Sequence, residues 1–192
     1  MKNKYDSEYY ELIKSLEKEP ENFDYQRLRE VYSRTSLYDP YSSQTASFKR
    51  DMFTAFENRD YESGAEMAQA ILDKNYLDMD AHMAMSRFYG KEAENEKADF
   101  HIKVMSRLLQ AIKDSGDGRS KETAIYVLST EEEYFVTAYL GGRVISQELQ
   151  GDDHHRYDVL TMEIGPDNRQ EQIYFNIDIP FGWLNRSMQK EG

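Results

Sequence analysis

Apolar residues recur at helical spacing up to about residue 114 and at strand spacing from about residue 123. In the first part they fall at i, i+3, i+4 and i+7, which is the pattern of a helix with one buried face. Asp6 or Ser7, and then Asp24, are placed to cap helices, because a side-chain oxygen there accepts a hydrogen bond from the first turn. The pattern predicts six helices, around residues 9–16, 25–32, 44–58, 61–74, 79–91 and 95–113.

The last four predicted helices form two hairpins. Equivalent residues of the two hairpins, such as Gly64 and Ala98, are separated by a fixed number of residues, which we call the hairpin period. It equals the tetratricopeptide period of about 34 residues. Gly64 and Ala98 are small residues, as is needed where two helices are expected to cross closely. The first helix of each pair lacks the usual Trp and Leu-Gly residues, and two repeats are too few for a long solenoid. We therefore expect a helical array with tetratricopeptide-like hairpins. Its aromatic and Met stripes, such as Phe48, Met52 and Phe56, are expected to pack in the core.

The last third of the chain is rich in β-branched and aromatic residues, which favour strands. Five strands are predicted, at 124–128, 134–140, 144–147, 157–164 and 172–179. Gly141 and Gly142 predict a two-residue hairpin turn, because both positions of such a turn need positive φ. Short connections predict that strands two to five form an antiparallel meander. One face of this sheet needs a cover, which the helical half and the tail at 180–184 are expected to supply.

These patterns together predict an α+β fold. An N-terminal helical array, residues 1–114, is expected to pack on a C-terminal five-stranded antiparallel meander, residues 115–192. The turn at 115–118 is too short for a linker between independent domains. We expect it to fold the sheet back onto the last helix, so that residues 1–192 form a single compact unit.

Composition excludes several classes of partner and chemistry. Asp and Glu number 36 against 24 Lys and Arg, a net charge of −12, so nucleic acid and anionic membrane surfaces are unfavourable partners. The absence of Cys excludes disulfides and thiolate chemistry. No apolar run approaches the roughly 20 residues of a membrane span. Residues 1–8 lack the apolar core of a signal peptide. The chain as given is expected to be cytoplasmic, or periplasmic or exported if a signal peptide has been removed.

Several short motifs follow one another in a fixed order over roughly residues 24–178. They are Leu28-Arg29-Glu30-Val31-Tyr32 with Tyr38-Asp39-Pro40-Tyr41, Asp80-Ala81-His82, Asp99-Phe100-His101, Ser115-Gly116-Asp117-Gly118 with Glu122-Thr123-Ala124, Glu132-Glu133-Tyr134, Tyr157-Asp158-Val159 and Tyr174-Phe175-Asn176-Ile177. The ordered set resembles a bacterial domain-of-unknown-function family, number 4919. The resemblance implies an origin in a Gram-negative bacterium, and many members of that family look exported. It brings no reaction, ligand or partner with it.

His82 and His101 form the main candidate site. They lie ten residues before and nine residues after the turn near residue 92. Equal path lengths in an antiparallel hairpin place them at the same height, since each helical residue rises about 1.5 Å. If both face the hairpin interior, their rings approach one another.

Three interpretations of this pair stay open. Each imidazole can satisfy its hydrogen bonds within the core and fix the packing. The pair can belong to a polar pocket that Asp117 and Glu132 or Glu133 complete. It can also hold a metal ion, although two His fall short of the usual three or four ligands. No catalytic residue, cofactor site or metal ligand is assigned.

Two other polar clusters are interpreted as turns. The segment from Asp152 to His155 is expected to be a solvated hairpin tip, because loops concentrate polar residues. The segment from Asp114 to Gly118 resembles a calcium loop, but its twelfth position is Ile125 instead of Glu, so a helix end followed by a tight turn is the better interpretation.

The chain contains no nucleophile elbow, phosphate loop, dinucleotide fingerprint or zincin pattern. We therefore expect a non-enzymatic protein- or peptide-binding or scaffolding module whose partner the sequence does not name. The alternative is a small-molecule-binding or metal-assisted enzyme at His82 and His101. A homo-oligomer is a third possibility.

Overall fold

The computed structural model describes residues 3–189. The chain divides into two units, with the boundary between Leu109 and Gln110. The boundary falls inside the last helix of the array, a few residues before the predicted end of the helical half. The predicted packing of both halves into a single compact unit stays a prediction.

The predicted helices of the N-terminal part are present. They are α1 (Lys4–Lys18), α2 (Tyr25–Tyr32), α3 (Ser43–Glu57), α4 (Tyr61–Leu72), α5 (Met79–Lys91) and α6 (Asn95–Lys113). Asp24 caps α2 by accepting a hydrogen bond from the Arg27 N–H at 2.9 Å, as predicted. The predicted cap of α1 is wrong, because Asn3 is the residue that caps it. Asp6 instead accepts from the backbone N–H of Ser36 at 2.8 Å, which ties α1 to the chain after α2.

A core cluster of the first unit lies between α3, α4 and α5. Its buried members are Met52, Ala65, Ala68, Ile71, Leu72, Ala81, Ala84 and Met85, with Phe48, Phe56, Met67, Tyr76, Phe88 and Tyr89 packed around them. The predicted core role of the aromatic and Met stripes is confirmed. Removal of this apolar surface from water is the main favourable contribution to the stability of the unit.

The same turn occurs in both helical hairpins, one hairpin period apart. The N–H of Asp60 donates to the Ala55 carbonyl at 2.9 Å, and the N–H of Glu94 donates to the Tyr89 carbonyl at 2.9 Å. Arg59 (φ 62°) and Ala93 (φ 59°) take the left-handed conformation at equivalent positions. A residue in the left-handed conformation just after a helix ends that helix, because the backbone N–H groups that follow can then bond to its last free carbonyl groups.

A difference in residue size distinguishes the two hairpin crossings. In the first hairpin the ring of Phe56 lies against Gly64, where an added Cβ would be 2.4 Å from a ring carbon. The positions one hairpin period later are Gly90 and Ala98, so both residues of the second crossing are small. Gly64 is therefore required by the space that Phe56 occupies.

The second unit contains a mixed sheet between residues 110 and 189. Its elements are β1 (Ile125–Tyr126), α7 (Thr130–Tyr139), β2 (Gly142–Gly151), β3 (Arg156–Ile164), β4 (Arg169–Asn176) and α8 (Asp178–Met188). The strand order is β1-β4-β3-β2, in which β1 is parallel to β4 and the other pairs are antiparallel. The α+β class is thus confirmed, with helices first and a four-stranded sheet after them.

The prediction of a five-stranded meander is wrong. Residues 134–140, expected as the second strand, lie mostly in α7, whose first turn is capped by Ser129 and carries three Glu side chains that favour the positive end of the helix dipole. Gly141 (φ 72°) ends this helix, so Gly141 and Gly142 do not form a hairpin turn. The tail at 180–184, which was expected to help cover the sheet, is part of α8.

Strand register assigns the side chains of β3 to two faces. Asp158, Leu160 and Met162 share one face, because side chains alternate along a strand. Tyr157 and Val159 lie on the other face, where Ala124 and Tyr174 pack against them. Tyr134 of α7 donates to Gln147 of β2, which faces the same way as its β3 partner Leu160. Helix α7 therefore covers the face that carries Asp158.

Within residues 3–189 no helix is both long enough and apolar enough to cross a membrane.

Gly64→Ala is expected to destabilise the helical unit by about 1–3 kcal/mol, because the new Cβ overlaps the Phe56 ring. Gly90→Ala is the matched control, since nothing lies within 4 Å of a Cβ there. It is expected to stabilise α5 by about 0.5–1 kcal/mol, because Ala favours the helix. Urea unfolding measures both changes, and effects of equal sign would contradict the role of Phe56.

Candidate functional site

His82 on α5 and His101 on α6 contact each other inside the second hairpin. Their Nδ1 atoms are 2.8 Å apart, a hydrogen-bond distance. Both residues are buried, with 0% and 9% of their surface exposed. The equal path lengths from the connecting turn therefore bring the rings together, as the sequence spacing indicates.

Hydrogen bonds fix the tautomer of each ring. His82 Nε2 lies 2.8 Å from the carbonyl oxygen of Tyr76, which can only accept, so this nitrogen carries a proton and donates. Nδ1 of neutral His82 then has a lone pair and accepts from the Nδ1–H of His101. The other nitrogen of His101, Nε2, is consequently unprotonated.

Aromatic rings surround the two imidazoles. Tyr89 stacks on His101, with centroids 5.6 Å apart and planes at 17°. Phe100 meets His101, and Tyr76 meets His82, edge to face. Burial lowers the pKa of His82 to about 3, with a further contribution from His101, and burial lowers the pKa of His101 to about 4. Both imidazoles are therefore neutral at neutral pH.

Tyr76 connects this pair to the first helix. Its carbonyl accepts from His82, and its backbone N–H donates to the hydroxyl oxygen of Tyr9 at 2.9 Å. Tyr9 lies on α1 and is 1% exposed. A continuous chain of buried and part-buried hydrogen bonds thus runs from α1 through the loop before α5 to α6.

The pair has little capacity for catalysis or metal binding. Both nitrogens of His82 are occupied, so a proton or a ligand can reach the pair only through His101 Nε2. In the part of the chain that the structure describes, no group of three or more His, Cys, Asp or Glu side chains is placed to hold a metal ion. The geometry supports the interpretation that the imidazoles fix the packing.

The other residues of the predicted pocket lie in the second unit. Asp117 accepts hydrogen bonds from the backbone N–H of Arg119 at 3.0 Å and from the hydroxyl of Thr123 at 2.6 Å. Glu132 accepts from the backbone N–H of Leu128 at 2.7 Å. Both carboxylates stabilise turns within their own unit. A pocket that they share with the two His stays a prediction.

Glu133 is a buried carboxyl group beside Asp158. It is 1% exposed, and burial, followed by the nearby Asp158, raises its pKa to about 9. Glu133 is therefore protonated at neutral pH beside Asp158, whose carboxylate accepts from Gln147 Nε2 at 2.9 Å. The Oε2 atom of Glu133 is buried without a hydrogen-bond partner.

His155 and Asp178 form a pair that sequence reasoning missed. The segment from Asp152 to His155 is an exposed connection between β2 and β3, as expected. His155 Nδ1 lies 2.7 Å from the Asp178 carboxylate, which raises the pKa of His155. The same carboxylate accepts from the Arg156 backbone N–H at 2.8 Å. No local sequence pattern predicts this pair, because only the pairing of β3 with β4 brings residues 155 and 178 together.

The comparisons with known proteins agree with the motif order. The model of the family described as Domain of unknown function (DUF4919) matches residues 1–183, so the chain belongs to this family, and the resemblance seen in the sequence is confirmed. No curated protein and no solved structure matches the chain.

Lowering the pH from about 6.5 to about 4 is expected to destabilise the helical unit. An unfolded His takes up a proton below pH 6.5, whereas folded His82 and His101 resist protonation until about pH 3 and 4. The unfolded state then binds more protons, so the free energy of unfolding falls by roughly 1.4 kcal/mol per pH unit for each imidazole. Urea unfolding followed by far-UV circular dichroism measures the slope.

His101→Gln removes one of the two titrating groups and is expected to reduce that acid slope by about half. The matched control is His154→Gln, on the exposed β2–β3 connection, which should leave the slope unchanged. An unchanged slope in His101→Gln would contradict the assignment.

Raising the pH from about 4.5 to about 9 is expected to destabilise the second unit. An unfolded Glu loses its proton near pH 4.5, whereas folded Glu133 keeps it until about pH 9. The folded state then binds more protons, so the free energy of unfolding falls as the pH rises, by at most roughly 1.4 kcal/mol per pH unit. Burial also raises the pKa of Asp158, which acts in the same direction. Trp183, the one Trp of the chain, lies in α8 and reports this unfolding by fluorescence.

Glu133→Gln is expected to flatten the alkaline slope, because the amide is neutral and similar in size but has no proton to lose in this range. Glu131→Gln, on the exposed side of the same helical turn, is the control and should keep the wild-type slope. Equal slopes in the two variants would rule out Glu133 as the source.

Proposed function

We propose that the protein is a non-enzymatic module that binds an extended segment of a partner protein along its helical unit. The observation that carries the proposal is the hairpin repeat, in which hydrogen bonds and left-handed residues recur after one hairpin period. Helical hairpins with this period are tetratricopeptide-like, and stacked hairpins offer extended surfaces for proteins and peptides.

The exposed face of α3 supplies an apolar anchor. Ala46, Arg50, Phe53 and Glu57 are exposed and recur at helical spacing. Phe53 lies between the charged residues of this stripe and is 39% exposed. A large aromatic side chain bordered by polar residues is the usual centre of a protein-binding surface.

The C-terminal part of the equivalent face of α5 is basic. Arg87 and Lys91 are exposed and lie one hairpin period after Phe53 and Glu57. With Arg50 they concentrate positive charge on a chain whose net charge is −12. Electrostatic complementarity therefore favours an acidic segment that also carries one large apolar side chain.

The alternative function, a small-molecule-binding or metal-assisted enzyme at His82 and His101, has weaker support. The contact between the two imidazoles is in its favour. Against it, both nitrogens of His82 are engaged, and a general base needs a free nitrogen within reach of its substrate.

Phe53→Ser is expected to weaken binding of acidic peptides by about tenfold or more, because it removes the apolar anchor. The probe is an array of peptides in which one Leu, Ile or Phe is flanked by Asp and Glu, with charge-reversed peptides beside it. Tyr10→Ser is the matched control, since Tyr10 is 47% exposed on α1. The proposal is contradicted if the array binds no wild-type protein, prefers the charge-reversed peptides, or binds Phe53→Ser as well as the control.

A further inference from the structure

Strand β2 is an open edge of the sheet. It runs over Gly142–Gly151 and is the last strand in the order β1-β4-β3-β2. All of its residues are exposed or half-buried. The backbone groups on its outer side have no strand partner among the described residues, and an exposed edge of this length is a template for pairing with another chain.

Exposed apolar side chains concentrate at this edge. Five of them lie on α7, on β2 or between the two: Tyr134 (45% exposed), Tyr139 (58%), Leu140 (42%), Ile145 (38%) and Leu149 (58%). Helix α7 borders β2, because the hydroxyl of Tyr134 donates to Gln147 Oε1. A group of exposed apolar residues beside an open edge is typical of an interaction surface.

The charges on β2 are complementary to those of a second β2 strand. The strand carries one cation, Arg143, and one anion, Glu148, so it is neutral within an acidic chain. The partners on β3 are Glu163 for Arg143, Thr161 for Ser146 and Val159 for Glu148. Ile145 is the extra residue of a β-bulge and has no partner on β3. Arg143 and Glu148 therefore lie equally far from Ser146, on either side of it, when positions are counted along β3. Antiparallel pairing about a two-fold axis at Ser146 places Arg143 of each copy opposite Glu148 of the other.

The apolar residues are complementary in the same register. The partners on β3 are Ile164 for Gly142, Met162 for Val144, Leu160 for Gln147 and Asp158 for Leu149. The same two-fold axis therefore brings Leu149 of each copy opposite Gly142 of the other. Gly142 has no side chain, and Met162 and Thr137 of its own chain fill the space that a Cβ would take there, so Leu149 of the other copy would pack on this filled surface.

We propose that β2 pairs with β2 of a second copy of this chain, antiparallel about Ser146, and so joins two four-stranded sheets into one sheet of eight strands. The bulge at Ile145 interrupts the new ladder near its centre, so the flanking Arg143–Glu148 and Leu149–Gly142 contacts stabilise it. The buried surface is expected at the low end of stable interfaces, roughly 1,200 Å². Such a dimer dissociates on dilution.

Sedimentation velocity over a range of concentrations tests the pairing. Wild-type protein is expected to dimerise, and Glu148→Arg to weaken the dimer by about tenfold or more, because Arg then faces Arg at two places. Arg143→Glu should weaken it by the same reasoning. An equimolar mixture of the two variants is expected to restore the dimer, since one copy then carries two anions and the other two cations.

The controls separate this effect from net charge and from misfolding. Glu66→Arg, exposed on α4, makes the same charge change as Glu148→Arg and should leave the dimer intact. Arg143 also pairs with Glu163 in its own chain, so circular dichroism must show that Arg143→Glu is folded. Hydrogen exchange needs no variant: the β2 amides of wild-type protein should exchange more slowly in concentrated than in dilute solution.

Three results would overturn the proposal. They are wild-type protein that stays monomeric at every concentration, a dimer that survives Glu148→Arg, and folded variants whose mixture stays monomeric. Concentration-independent exchange of the β2 amides, in a protein that does dimerise, would place the interface elsewhere and would overturn it equally.

Discussion

The hydrogen bond between His82 and His101 holds α5 and α6 in register, because buried polar atoms need hydrogen-bond partners. A shift of one helix against the other by one turn would leave Nδ1 of both rings unpaired. The start of α5 is fixed by a second polar contact, in which Asp78 caps the helix and pairs with Lys49 of α3 at 2.9 Å. Apolar packing tolerates many arrangements, and satisfied buried polar contacts select one of them.

The helices of the first unit could be predicted because periodicity and caps agree there, as at Asp24. They disagree at α7, where Tyr134, Phe135 and Val136 are strand formers but Ser129 and the acidic first turn favour a helix. The pattern of burial shows why this segment is a helix. The buried residues of this helix are Glu132, Glu133, Val136 and Thr137, which recur at helical spacing. Two of the four are charged residue types and a third is polar, so hydrophobicity alone does not show this face.

The candidate site divides in the same way between local and long-range information. The contact between His82 and His101 follows from one turn and two path lengths, which are local quantities. The proximity of Glu133 to Asp158 requires α7 to lie on the sheet. The sequence pattern predicts a strand at residues 134–140, and this wrong assignment prevents the prediction of the contact. Asp178 reaches His155 only through strand pairing, to which sequence spacing gives no guide. Contacts within a hairpin can thus be predicted, and contacts set by sheet register cannot.

Most of the buried polar groups described above form hydrogen bonds within the fold, so the proposed binding depends on the side chains that stay exposed. A net charge of −12 repels a second copy, but salt screens this repulsion beyond about 8–10 Å. Charges next to the contact therefore decide which partner is accepted. Phe53 shares its exposed stripe with Arg50, and Arg87 occupies the equivalent position of α5, which suits the acidic segment proposed above. Leu149 lies on a neutral strand whose two charges complement a copy of itself. The charge around each exposed apolar side chain, more than its size, selects what it can bind.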